Sequence, residues 1–162
     1  MEKGIVSNAS SLIFLAKLDV LKLAKNMFSR IFIPKEVLDE IFEKNKAENS
    51  LIQREVGGFL VVNAVQNVKD FPIDVGERAA ISLCLEKNIK KFLSDDKRAR
   101  NYARNLDIEV IGVLGILLWN LQANKINKKE CLDLVNKLIE KGYYMSSDLY
   151  SELLTLINST EN

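Results

Sequence analysis

The apolar positions of this chain switch repeatedly between a short continuous run and a helical stripe, which is the pattern of alternating strands and helices. Residues 4–7 read as a buried strand, followed by a helix whose stripe is Leu12, Leu15, Ala16 and Leu18, with the serines after the strand as its caps. A second helix is predicted over 20–28. Residues 30–33, β-branched and aromatic, form a strand that stops at Pro34, a favoured first helical position, so a helix over 35–44 follows. Residues 45–67 are less patterned: a short polar helix near 48–56, a Gly57-Gly58 turn, then a strand or edge segment over 59–65. Beyond Pro72 the alternation returns, with a helix over 75–88, a strand over 91–94, a helix over 96–106 and a strand over 108–111. From Gly112 onward all segments are helical, over 113–123, 128–141 and 147–158.

This order predicts an α/β fold, a three-layer α/β/α arrangement around a mainly parallel sheet, with a helical extension at the carboxyl end. With 162 residues the expectation is a single domain, its core at about 1–124 and its added helices at about 125–160.

Composition narrows the chemistry. No histidine is present, which removes the usual general base near neutral pH and the commonest transition-metal ligand, so serine–histidine hydrolysis and histidine-ligated zinc are excluded. Cys84 and Cys131 are far apart and each lies in an apolar helical pattern, as reduced, buried thiols do. The start MEKGIVSNASS has none of the parts of a signal peptide, and the longest apolar stretch, 110–121, falls short of the ~20 residues that span a bilayer. A cytoplasmic protein without a membrane partner is expected. Lysine plus arginine balance aspartate plus glutamate at 23 to 22, so any attraction to a polyanion must be local.

In an open parallel sheet the ligand crevice lies beyond the carboxyl ends of the strands. The residues placed there are Asn8, Ser10, Asp95 and Asp96, joined by Glu77 at a helix start and by one or more of Glu36, Asp39, Glu40 and Glu43. Glu77 shares the stripe of Ala80, Ile81 and Cys84. It either belongs to a site or reaches back in a capping arrangement begun by Asp74. Asp95 and Asp96 cannot both cap the one helix that follows them, which leaves one to repel its neighbour or to hold a cation. Periodicity leaves Asp39 and Glu40 as equal flanks of their helix. Oxygen ligands without histidine or cysteine suit magnesium or manganese, ions that serve phosphate chemistry. Beside the acids stand Lys87, Lys90, Lys91, Lys97, Arg98, Arg100 and Arg104, a basic rim able to follow a nucleic-acid backbone, or else an ordinary solvated face.

The stretches Val6-Ser7-Asn8-Ala9-Ser10-Ser11-Leu12-Ile13, Ile33-Pro34-Lys35-Glu36-Val37-Leu38-Asp39-Glu40-Ile41, Gly76-Glu77-Arg78-Ala79-Ala80-Ile81, Leu93-Ser94-Asp95-Asp96-Lys97-Arg98-Ala99-Arg100 and Ile111-Gly112-Val113-Leu114-Gly115-Ile116-Leu117 occur in that order. As an ordered set they resemble the PIN domain, the PilT amino-terminal nuclease family, and within it a prokaryotic branch related to the VapC toxins. The resemblance implies a ribonuclease that cuts RNA with Mg2+ or Mn2+. It places the family's acidic positions at Asn8, Glu40, Glu77 and Asp96, with Ser10 and Asp95 beside them as further catalytic residues. It also implies a homodimer and a cognate antitoxin, while the basic rim is expected to contact RNA through Lys91, Lys97, Arg98 and Arg100. The departure is Asn8, a neutral side chain where relatives carry a carboxylate, which implies a weaker hold on the ion. The alternative expectation is a PIN-like module that binds RNA or protein without cutting. A phosphoacceptor receiver domain needs an acidic pair straight after the first strand, and Ser7-Asn8 is not one.

Overall fold

The computed structural model describes residues 3–161. The chain divides into two compact units, one up to Val113 and one from Leu114 onward.

The first unit is built on five parallel strands, β1 (Ile5–Ser7), β2 (Ile31–Pro34), β3 (Leu60–Asn63), β4 (Lys91–Leu93) and β5 (Glu109–Ile111), in the order β3-β2-β1-β4-β5. Interleaved are α1 (Ala9–Lys17), α2 (Leu21–Lys25), α3 (Lys35–Phe42), α4 (Asn49–Glu55), α5 (Val75–Lys87) and α6 (Lys97–Asn105). This is the predicted three-layer α/β/α fold. The chain builds outward from β1 through β2 to β3, then crosses to the other side of β1 for β4 and β5, so the order reverses between β1 and β4. At such a switch point the connecting loops diverge and leave a crevice beyond the strand ends.

Short strands suffice because they are buried on both faces. Ile5, Val6, Ile31, Ile33, Phe92 and Leu93 are all fully buried, and Phe92 pairs with Val6 on one side and Val110 on the other. Among the helices, Leu12 and Leu15 of α1 and Ile81 and Leu83 of α5 are sealed in the same core.

The element boundaries moved in physically informative ways. Asn8, not a serine, is the N-cap of α1, since its side chain accepts from the Ser11 N–H. Pro34 remains in the ladder as the last residue of β2, opposite Asn63, and passes the chain to α3 at Lys35. The second predicted helix contracts to five residues, Leu21–Lys25. α5 stops at Asn88, which takes the left-handed conformation at φ 52° that asparagine tolerates. Cys84 is buried, and desolvation pushes its thiol up to about 12.

The second unit contains all but the first residue of α7 (Val113–Gln122), then α8 (Lys128–Glu140) and α9 (Ser147–Ser159). Helices α8 and α9 pack on one another and bury Val135, Leu138, Leu153 and Ile157. Their starts are capped by Asn127 and Ser146, and the Tyr150 hydroxyl donates to Asn136 Oδ1 at 2.9 Å. Cys131 is buried here too, its thiol pushed up to about 11 by desolvation. No helix among the described residues is long and apolar enough to cross a membrane.

Phe92→Ala should cost about 3–5 kcal/mol in urea unfolding, because it opens a cavity where three strands meet. A loss under about 1 kcal/mol would contradict this account of the core.

Candidate functional site

Three segments meet at the switch point: the turn after β1, the turn after β4 and the first turn of α5. Asn8 ties them together. It is fully buried, and its orientation is not open to choice. The Ser11 N–H is a donor, 3.1 Å from the Asn8 side chain, so the atom facing it must be the carbonyl Oδ1. The amide hydrogens then point the other way, donating to Ser94 Oγ at 3.0 Å and to Glu77 Oε1 at 3.4 Å. The oxygen expected to face an ion is therefore used to cap a helix.

Asp95 and Asp96 separate to different tasks. Asp96 caps α6, its Oδ1 accepting from the Ala99 N–H at 2.7 Å, and its own N–H donates to Ser94 Oγ at 3.2 Å. Asp95 turns away. Its Oδ2 accepts from Ser11 Oγ at 2.7 Å, and both its oxygens receive the N–H of Val113, the first residue of α7, at 3.2 and 3.3 Å. Two neighbouring acids thus serve two helices, an arrangement the local sequence argument did not consider. Gly112 is what allows it, because a Cβ there would sit 2.5 Å from Asp95 Oδ1 and 3.0 Å from Arg100 Nη1.

Glu40 reaches the site from α3. Its carboxylate lies over the first turn of α5, where a Cβ on Gly76 would come within 2.6 Å of Oε2. Asp39 instead pairs with Lys35 at 3.6 Å. The contact over Gly76 breaks the tie that periodicity left open. Asp74 is the N-cap of α5 by backbone geometry, but its side chain makes no cap hydrogen bond. It lines a hollow of about 140 Å³ with Ile73, Glu77, Asp96 and Arg98, and also a wider, open groove with Glu40, Glu43 and Gly76.

These carboxylates act on one another. Partial burial pushes the Glu77 carboxyl above its ordinary value, and the negative charges of Glu40, Asp96 and Asp74 push it further, against a hydrogen bond with its own backbone that opposes the shift. Glu40 is likewise raised, by desolvation of its carboxylate end and then by Asp74 and Glu43. Such mutual repulsion is what a bound cation relieves.

Of the remaining expected residues, Ser10 is exposed on α1 and it is Ser11 that reaches the acids. Arg98 borders the hollow and donates to the Pro72 carbonyl at 2.7 Å, while Lys97 is exposed beside it. Arg100 is half-buried and donates to the Ser94 carbonyl at 3.2 Å. Lys91 stands at the amino end of β4, the far edge of the sheet, and pairs with Glu109 at 3.1 Å. The sequence reasoning missed Ser94, the buried hydroxyl between Asn8 and Asp96. Its place directly after β4 was the available signal.

The donor set suits a hard divalent ion in kind, being carboxylate oxygens with no histidine or thiol near. Residue by residue the fit differs. Glu77 and Asp96 line the small hollow and Glu40 the neighbouring groove, whereas the oxygens of Asn8 and Asp95 are engaged elsewhere. Among the described residues no three acidic or thiol groups are closed to ligand distance, so an ion would have to draw its carboxylates inward.

The raised carboxyls set a pH dependence. In the folded state Glu77 and Glu40 hold their protons above the ordinary 4.5, so the fold binds more protons than the unfolded chain. Their contribution is therefore stabilising below that value and is lost as pH rises through the raised folded pKa. Metal-free thermal melts should show the stability of Glu77→Gln relative to the parent increasing with pH across that window. A difference that stays flat with pH would contradict the electrostatic account.

A sequence profile of the family described as PIN domain matches residues 4–159. No curated protein and no solved structure matches the chain.

Proposed function

The chain belongs to the PIN domain family, whose fold is of the nuclease type, and we propose that it is a ribonuclease that hydrolyses RNA phosphodiesters with Mg2+ or Mn2+. The observation that carries this reading is the gathering of Glu40, Glu77 and Asp96 at the sheet's switch point, where partial burial and then neighbouring negative charge raise the carboxyls of Glu77 and Glu40. A divalent ion held there would neutralise a phosphodiester and supply a hydroxide-like water, which accounts for hydrolysis without histidine.

The chain's own residues do the rest. Asn8 holds Glu77 through its amide, and Ser94 holds Asp96 through the backbone N–H, so both acids are set by buried partners before a ligand arrives. Asp95, turned to Ser11 and Val113, supports the turn rather than the ligand. Arg98 and the exposed Lys97 stand where an RNA backbone would approach the hollow, and their charge would position it without reading its bases. With the neutral Asn8 at the inner position, the ion is held weakly, and activity is expected to need millimolar rather than micromolar metal.

We extend the proposal to the toxin role of the VapC-like branch, a homodimer silenced by an antitoxin protein in the cytoplasm. Supporting it are exposed apolar side chains of the second unit, Tyr144 at 86 % and Leu156 at 49 % exposure. Leu153 and Ile157 are buried and are not available to a partner. A monomer by light scattering would count against the dimer.

A second reading has an observation of its own. Carboxylates not closed to ligand distance, beside an amide that donates rather than accepts, also suit a PIN-fold module that binds RNA without cutting it.

Glu77→Gln should lower manganese-dependent cleavage of single-stranded or structured RNA by about a hundredfold or more. If the parent protein neither cuts RNA nor takes up manganese by calorimetry, the enzyme reading falls. Reversing the charge of Lys97 and Arg98 together should weaken RNA binding at least tenfold under either reading. Should that binding survive removal of metal by a chelator while cleavage never appears, the binding module is favoured.

A further inference from the structure

The proposed site has a gap at its inner end and an unexplained acid at its outer end. At the inner end, the Asn8 amide presents N–H groups toward Glu77, and these carry no lone pair for a cation. Turning the amide over would bring its NH2 against the Ser11 N–H and leave that helix amide unsatisfied in a fully buried place. A cation is therefore kept from the position nearest the sheet.

At the outer end stands Asp74. An aspartate at a helix N-cap ordinarily accepts from an N–H of the first turn. Asp74 adopts the cap backbone, at φ −60° and ψ 154°, yet forms no such bond. Asp74 is exposed, lines both the hollow of Glu77 and Asp96 and the groove of Glu40, and its charge acts on Glu77 and Glu40 alike.

We propose that Asp74 is the ligand that takes the place of the missing first-strand carboxylate. Asp74, Glu77 and Asp96, with Glu40 alongside, would hold the divalent ion, and Asn8 is a positioning residue that holds Glu77 for it. The inference rests on the metal-dependent reading above and deepens it, assigning Asp74 a ligand's role and removing Asn8 from the ligand set.

The test is a calorimetric manganese titration of the full chain and five variants: Asp74→Asn, Asp74→Ser, Asn8→Asp, Asn8→Asp with Asp74→Asn, and Glu77→Gln. Serine is as good an N-cap as aspartate but a poor ligand for a hard cation. Both single changes at Asp74 should weaken manganese binding at least tenfold and leave the metal-free melting curve near that of the parent. Asn8→Asp should restore most of the loss in the Asp74→Asn background, a non-additivity that marks two residues competing for one role. Restoration of manganese binding by Asp74→Ser would show a capping role and overturn the inference. So would parental titration by Asp74→Asn alongside a Glu77→Gln variant that no longer binds, and in that case the metal-dependent function would stand. If Glu77→Gln also titrated like the parent, the inference and the functional reading would fall together.

Discussion

The carboxyl edge of this sheet depends on the side-chain amide of Asn8. One carbonyl oxygen caps α1, and two amide hydrogens reach Ser94 after β4 and Glu77 on α5, so a single buried group joins the three segments that converge where the strand order reverses. A carboxylate in its place could accept from Ser11 but could donate nothing, and its charge would lie beside that of Glu77 in a fully buried position. Asn8 thus holds the three segments together through the hydrogen bonds of a neutral amide alone.

From that tie the other placements follow. With Glu77 held by the Asn8 amide, the charges of Glu40, Asp96 and Asp74 bear on it beside the hollow that Asp74, Glu77 and Asp96 line. The neighbouring Asp95 is withdrawn from this group by Ser11 and the Val113 N–H. The acids that line the hollow are thereby separated from the acid that holds the turn.

Much of the architecture was legible because burial on both faces makes each parallel strand a continuous apolar run, and Phe92-Leu93 or Ile31-Phe32-Ile33 can be little else. The helix stripes of α1, α5 and α6 were readable for the same reason. The helix near residues 20–28 was overestimated because apolar spacing continues through Met27 and Phe28, which are buried in the turn beyond its end. Within the site, Glu77 was visible from its charged place on a buried stripe. Glu40 was not separable from Asp39 by phase, since the deciding contact is with Gly76, distant in sequence. The pair Asp95-Asp96 was misjudged because the second helix needing a cap starts at Val113 and lies outside any local window. Asp74 looked like a cap because its backbone is one. Only the absence of the side-chain bond separates the two roles, and no sequence pattern reports that.

The central claim is that the acids around Glu77 hold a divalent ion while Asn8 does not touch it. A crystal of the parent protein soaked in manganese and measured for anomalous scattering tests this directly. The account predicts one peak within ligand distance of Glu77 and Asp96, with the Asn8 oxygen still on the Ser11 N–H. No peak at saturating manganese, or a peak coordinated by Asn8 Oδ1, would contradict it.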